Sequence, residues 1–201
     1  MANILYVYKD QVYANITNKC DCACTFCIRS QQDGVGDAET LWHKVDPTLE
    51  DIYAAIDAFD FSGYNEFVFC GYGEPLCAFD NLVIAGRLLK SKYPGIKIRI
   101  NTNGLGNLIN KKDTIPAIAE FTDTVSISLN APNAERYNEI SRPKFGIDSF
   151  KEILRFAEEC KKYIKTVKFS VVDVISPEEI AECQALADKM EIPLRVRAKE
   201  N

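Results

Sequence analysis

Three cysteines, Cys20, Cys24 and Cys27, fall in the run NKCDCACTFCIR with the spacing C-x3-C-x2-C, and Phe26 precedes the last of them. Soft thiolates so placed suit an iron–sulfur cluster or zinc. A four-iron cluster held by three cysteines keeps one iron without protein sulfur, an open position at which a ligand binds. Zinc asks for a fourth Cys or His nearby or a second paired knuckle. No C-x2-C follows downstream, and His43 is the sole histidine. Cys22 is a cramped candidate for a fourth ligand, lying two residues from both Cys20 and Cys24. Buried or redox cysteines are the remaining alternative. Four of the eight cysteines lie between 20 and 27, whereas Cys70, Cys77, Cys160 and Cys183 are scattered. Clustering of that kind favours metal over a disulfide framework.

Other residues capable of chemistry stand apart in sequence. In CGYGEPLC, Gly71 and Gly73 let the backbone approach a ligand and Glu74-Pro75 set a turn. The plain alternative is a tight strand–loop connection. Asn101, Thr102, Asn103 and Gly104 suit hydroxyl or carboxylate recognition, or a simple Asx-turn. Ser126 and Ser128 share one face of a strand, with Ser128 nearer its end. Arg142 can hold a carboxylate bidentately or face solvent. Trp42 and His43 fall in a long polar segment, where surface placement is the plain expectation.

These residues need elements to bring them together. Residues 4–8 and 12–17 predict two strands joined by a short turn, the second leading into the cysteine loop. Residues 28–45 lack periodicity and predict a long functional loop. Asp46 with Pro47 predicts a helix start, running to about Phe59. Strands are predicted at 66–70, 96–101, 124–129, 166–174 and 192–196. Helices are predicted at 80–92, 114–120, from Asp148, and after Ser176, where Ser176 and Glu179 make a capping box. The alternation implies an α/β fold with a parallel sheet. Six β/α units predict a partial (β/α)6 TIM-like barrel with a curved, open sheet, preceded by a short N-terminal strand. A doubly wound sheet is the competing fold. In a barrel the cysteine loop, GYGEP, NTNG, Ser128, Asn130, Arg142, Arg195 and Arg197 all gather on the C-terminal rim.

At 201 residues the chain is expected to form one domain, 1–201, with a full core. Its net charge of −5, without basic runs, gives no reason to expect a nucleic-acid partner. No stretch is long and apolar enough to span a membrane, and MANILYVYKD has no signal-peptide pattern, so a cytoplasmic protein is expected.

With these motifs in order, the chain resembles the radical S-adenosylmethionine (radical SAM) superfamily over nearly its whole length. GYGEP resembles the family's glycine-glycine-glutamate-proline motif with Tyr72 inserted between Gly71 and Gly73, and SISLNA resembles its fourth-strand segment, with Asn130 where many relatives have an acid. The size and the NITNKCDCACTFCIR opening resemble the small TatD-associated members. The resemblance implies a [4Fe-4S] cluster on Cys20, Cys24 and Cys27, and S-adenosylmethionine contacts from Gly71, Tyr72, Gly73, Glu74, Ser128 and Asn130; Phe26, Asn101, Asn103, Arg142 and Arg195 are further candidate contacts by their place at the same rim. It implies a flavodoxin or ferredoxin-type reductant and an unidentified small-molecule, peptide or protein substrate. A glycyl-radical activating enzyme and a 7-carboxy-7-deazaguanine synthase-like enzyme are alternatives within the class. Ile28, standing where a hydroxyl would help a magnesium site, counts against the second. A non-enzymatic iron–sulfur or zinc module is the alternative outside it. The open side of the sheet leaves room for a partner, including a second copy of the chain.

Overall fold

The computed structural model describes residues 2–199. Strand β1 (Leu5–Tyr8) pairs antiparallel with β2 (Gln11–Ala14) through a two-residue turn at Lys9 and Asp10. Both turn residues have positive φ, 49° and 59°, as a turn matched to right-handed strand twist requires. From β2 the sheet continues in parallel through β3 (Glu66–Phe69), β4 (Lys97–Thr102), β5 (Thr124–Ser128), β6 (Thr166–Val172) and β7 (Leu194–Arg197).

Sequence neighbours are sheet neighbours throughout, in the order β1-β2-β3-β4-β5-β6-β7. A doubly wound sheet reverses its strand order at a switch point. Without a reversal, successive crossovers of one hand return on the same side. The helices therefore share one face, and the sheet curls into the open, partial (β/α)6 barrel that the pattern predicts. None of the described helices is long and apolar enough to cross a membrane.

The two faces differ in chemistry. Helices α1 (Leu49–Ala58), α2 (Phe79–Lys92), α4 (Ile115–Ala119), α6 (Ser149–Tyr163) and α7 (Pro177–Lys189) pack on the convex face. There Val12, Phe67, Phe69, Ile98, Ile100, Val125, Ile127 and Phe169 join Ile52, Leu82, Ile118, Phe156 and Ala187 in the main core. The alternate strand residues face the concave side. At β1–β3 that side is filled by the loop 28–45, whose Ala38 and Leu41 pack with Tyr6, Tyr13, Val68 and Tyr72 in a second, smaller core.

Short elements depart from expectation. Helix α1 is capped by Thr48, whose hydroxyl accepts from the Asp51 N–H while Asp51 reaches back. Asp46 is drawn away to accept from the Thr17 hydroxyl at 2.9 Å and the Asn18 N–H at 2.8 Å, bracing the chain as it enters the cysteine loop. The box of Ser176 and Glu179 forms as predicted, with Pro177 opening α7. Two helices were not predicted: α3 (Gly106–Asn110) and α5 (Ala134–Ser141), the latter capped by Asn133. Tyr137 and Ile140 are the large apolar residues α5 buries, too few to write a helical period.

Candidate active site

The cysteine loop leaves the C-terminal end of β2 and is gripped from two sides. On one side the Ala23 N–H donates to the Ser141 carbonyl at 3.1 Å, and the Thr25 N–H to that of Ile140 at 2.9 Å. The Lys144 N–H donates to the Asp21 carbonyl at 2.8 Å, and Cys22 bridges to Pro143. The last carbonyls of a helix lack partners within it; those of α5 find them in the cysteine loop. On the other side the Glu74 N–H donates to the Lys19 carbonyl at 2.8 Å. Gly73 is required there, because a Cβ would lie 2.2 Å from the Thr17 oxygen. Arg29 ties both segments, donating at 3.3 Å to the Asn18 and Tyr72 carbonyls.

Cys20, Cys24 and Cys27 are half-buried, while Cys22 is buried in the main core. Cys22 Sγ lies 3.8 Å from the Tyr137 hydroxyl and accepts from Asn103 Nδ2 at 3.6 Å. Hydrogen bonds from Cys22 hold the Cys20 and Cys24 thiols below their usual range, against the effect of burial. The same two bonds, then burial, push Cys22 up, and burial pushes Cys27 up. Three part-open thiols on one loop, two of them poised toward thiolate, fit the donor set of an iron–sulfur cluster. Among the described residues, no group of three or more His, Cys, Asp or Glu is spaced to hold a single metal ion. A four-iron cluster takes one cysteine per iron and does not ask for that spacing.

Glu74 is buried. Its carboxylate accepts from the Thr102 hydroxyl and the Asn103 N–H, each at 2.7 Å, and from the Leu76 N–H at 3.1 Å. Burial outweighs these bonds and raises its pKa to about 7. The side chain thus staples the loop after β3 to the end of β4. Asn103 Oδ1 accepts from the Leu105 N–H at 2.9 Å, an Asx-turn followed by Gly104 at φ 79°.

The other predicted residues fall as follows. Phe26 is half-buried against the main core. A Cβ on Gly71 would sit 2.1 Å from Asn15 Oδ1, the atom that accepts from the Tyr72 N–H at 3.0 Å. The Tyr72 ring is buried edge-on to Trp42 at 5.1 Å, and its hydroxyl donates to the Gln32 carbonyl. His43 Nε2 lies 2.9 Å from the Asn15 carbonyl oxygen, within the loop's packing. Asn101 and Ser128 lie on the concave face, beside Ser126 and Ser170 respectively. Asn130 follows β5 at φ 57°, a conformation that asparagine tolerates. The amide oxygens of Asn101 and Asn130 are buried without a partner among the described residues. Arg142 is exposed at the C-terminus of α5 at φ 45°, its carbonyl accepting from the Ala23 N–H at 3.2 Å. Arg195 is exposed on β7, beside Ser170.

Several site neighbours were not singled out from sequence: Asn15, Arg99, Tyr137, Ser141, Lys168 and Ser170. For three of them a signal exists. Arg99 sits between Ile98 and Ile100, and Lys168 and Ser170 alternate with Val167, Phe169 and Val171. Polar residues at every second position are unusual in a parallel strand covered on both faces. Tyr137 and Ser141 carry no such signal, because their partners are far away in sequence. Beside Cys20 a cavity of about 520 Å³ opens, with Lys19, Asp21, Arg29, Cys77 and Lys144 in its wall.

Comparison with known proteins agrees with this arrangement. The family model described as Radical SAM superfamily matches residues 14–189. No protein of curated function matches the chain. Among solved structures, Streptococcus suis SuiB bound to precursor peptide SuiA is similar at 22% identity and a TM-score of 0.68, over 92% of this chain and 38% of that one. A radical SAM methyltransferase from Sphaerobacter thermophilus is similar at 17% identity and 0.63, over 96% and 68%. Methylornithine synthase (PylB) is similar at 14% and 0.62, over 96% and 55%. The chain thus spans about two fifths of SuiB, and these likenesses show the fold. With its family model matched from β2 to the end of α7, the chain belongs to the radical SAM superfamily of enzymes.

Proposed function

We propose that the protein cleaves S-adenosylmethionine reductively and uses the product to take hydrogen from a second reactant. The reading is carried by the clamped loop that presents Cys20, Cys24 and Cys27 half-buried at the rim of a polar concave face. Those cysteines would hold a [4Fe-4S] cluster, which when bound supplies the electron that splits the sulfonium into methionine and a 5′-deoxyadenosyl radical.

The chain's own residues bind and orient. Asn101 and Asn130 offer buried amide oxygens without partners among the described residues, suited to N–H or hydroxyl donors of S-adenosylmethionine. Ser128 stands on the same face. The side chains of Asn103 and Glu74 are engaged within the fold, so their part is to set the loops around the ligand. Gly71 and Gly73 bring the backbone of their loop against Asn15 and the cysteine loop. The packed loop 28–45 shields this side of the site from water, which a radical reaction needs. A flavodoxin or ferredoxin-type protein is the expected electron donor. Residues 1–201 act in this reading as one radical SAM core.

The test is anaerobic reconstitution with iron and sulfide, then assay with dithionite and S-adenosylmethionine. The wild type is expected to bind four irons and release 5′-deoxyadenosine. Cys20→Ala is expected to lose both. Iron-loaded wild type that yields no 5′-deoxyadenosine overturns the proposal.

A further inference from the structure

With its β1–β3 end filled by the loop 28–45, the concave face along β4–β7 runs from buried Arg99, Ser126 and Ser170 to exposed Arg195 and Arg197, and that wall is basic. Strand register places its cations at successive depths. Arg99 is level with Thr124 and Thr166 near the floor. Lys168, beside Ser126, is two residues nearer the rim. Arg195 stands two further along, beside Ser170, and Arg197 two beyond that, beside Val172. Each step is roughly 7 Å along the strands. The cations thus climb diagonally from the floor at β4 to the rim at β7.

Acidic compensation is thin. Glu66 bonds Arg99 at 3.1 Å, and among the described residues it is the acidic partner any of the four has. Arg99 is buried and also donates to Gln11 at 2.7 Å, yet its Nε has no partner among the described residues. Glu74, above the wall, is committed to Thr102, Asn103 and Leu76. The groups feel one another. Burial, Arg99 and Arg195 push the Lys168 ammonium below its usual range, with Glu66 opposing. Burial pushes the Cys70 thiol up, against Asn101, Arg197 and Arg99. Cations on one wall that share a single acidic partner among the described residues repel, and a bound anion relieves that repulsion.

We propose that this wall binds the second reactant, a small molecule carrying two or more phosphate or carboxylate groups, through Lys168, Arg195 and Arg197, with the buried Arg99 behind them. Guanidinium forks suit both oxyanions bidentately. A small molecule is favoured over a chain segment because the inner cations lie deep. Below them Arg99 donates to Gln11 at 2.7 Å and to the Tyr13 hydroxyl at 3.5 Å, and Lys168 itself is half-buried. The proposal rests on the radical chemistry above for the word reactant, while binding is measurable without it.

The cluster-loaded protein is titrated anaerobically by calorimetry with glutarate, with fructose 1,6-bisphosphate and, separately, with S-adenosylmethionine. At least one of the two anions is expected to bind, and which one binds separates carboxylate from phosphate. Lys168→Met combined with Arg197→Ala is expected to weaken that anion about tenfold or more. Lys151→Ala combined with Lys189→Ala, which removes the same charge from exposed helix positions, is expected to leave its affinity within about twofold. No binding of either anion, or an equal loss in both double variants, overturns the proposal. So does a parallel loss of S-adenosylmethionine affinity, which would give the wall to that molecule's carboxylate. 5′-Deoxyadenosine formation is measured on the same preparation. Turnover without anion binding sinks the wall alone, and anion binding without turnover sinks the radical reading and leaves the wall standing.

Discussion

Cys22 separates Cys20 from Cys24, yet it packs in the core, near Tyr137 and Asn103. Beside it the Cys20 and Cys24 thiols are held below their usual range while its own is pushed up. Glu74 is similar: a charged residue of a ligand-type motif whose carboxyl group is spent inside the fold. Burial raises its pKa to about 7 in the fold from an ordinary 4.5, so the fold favours the protonated form. The stability this contributes is complete below pH 4.5 and is lost as pH rises through 7. Urea melts at pH 4.5 and pH 8 check this against Glu74→Gln, which cannot titrate. The wild type is expected to lose on the order of 3 kcal/mol relative to the variant across that range. Parallel pH slopes in the two proteins would rule it out.

Among elements, α5 and the loop 28–45 do the positioning. Helix α5 lends its terminal carbonyls to the cysteine loop. The loop 28–45 is a packed cover, fixed by Leu41 in the second core, by the Val7 N–H donating to Asp37 at 2.7 Å, and by Gly36. Gly36 has φ 65°, and a Cβ there would meet the Val7 oxygen at 2.1 Å. Leu41 is fully buried. Leu41→Ala is expected to cost about 2–5 kcal/mol, concentrated in this loop. Limited proteolysis checks it: new cleavage should map within 28–45 while the β/α units persist. Unchanged resistance would mean that the loop is held by something other than this packing.

At the scale of the whole molecule, an unclosed sheet has two edges. The β1 edge is covered: the Asp37 N–H donates to the Val7 carbonyl and the Asn3 N–H to that of Thr40. The β7 edge carries the exposed residues Arg195, Val196 and Arg197. Charges on a free edge oppose edge-to-edge pairing. Arg195→Val combined with Arg197→Val leaves an apolar edge, and sedimentation velocity is expected to show concentration-dependent self-association that the wild type lacks. A variant that stays as dispersed as the wild type would show that the charges do not guard this edge.

Much of this architecture was legible because it is written in local periodicity. Alternating strand and helix patterns, the Ser176 box and the cysteine spacing each need only a few consecutive residues, so the strand order and the rim position of the loops followed from them. Long-range pairing is a different matter. Nothing near Thr25 announces Ile140, and nothing near Leu41 announces Tyr72, because such contacts depend on how the sheet curls. The cysteine spacing and the family it resembles were therefore set by sequence alone. The tertiary structure decided that Cys22 belongs to the core, that Glu74 is a staple, and that Arg99, Lys168, Arg195 and Arg197 line one wall. Strand register joins residues that chain order keeps apart.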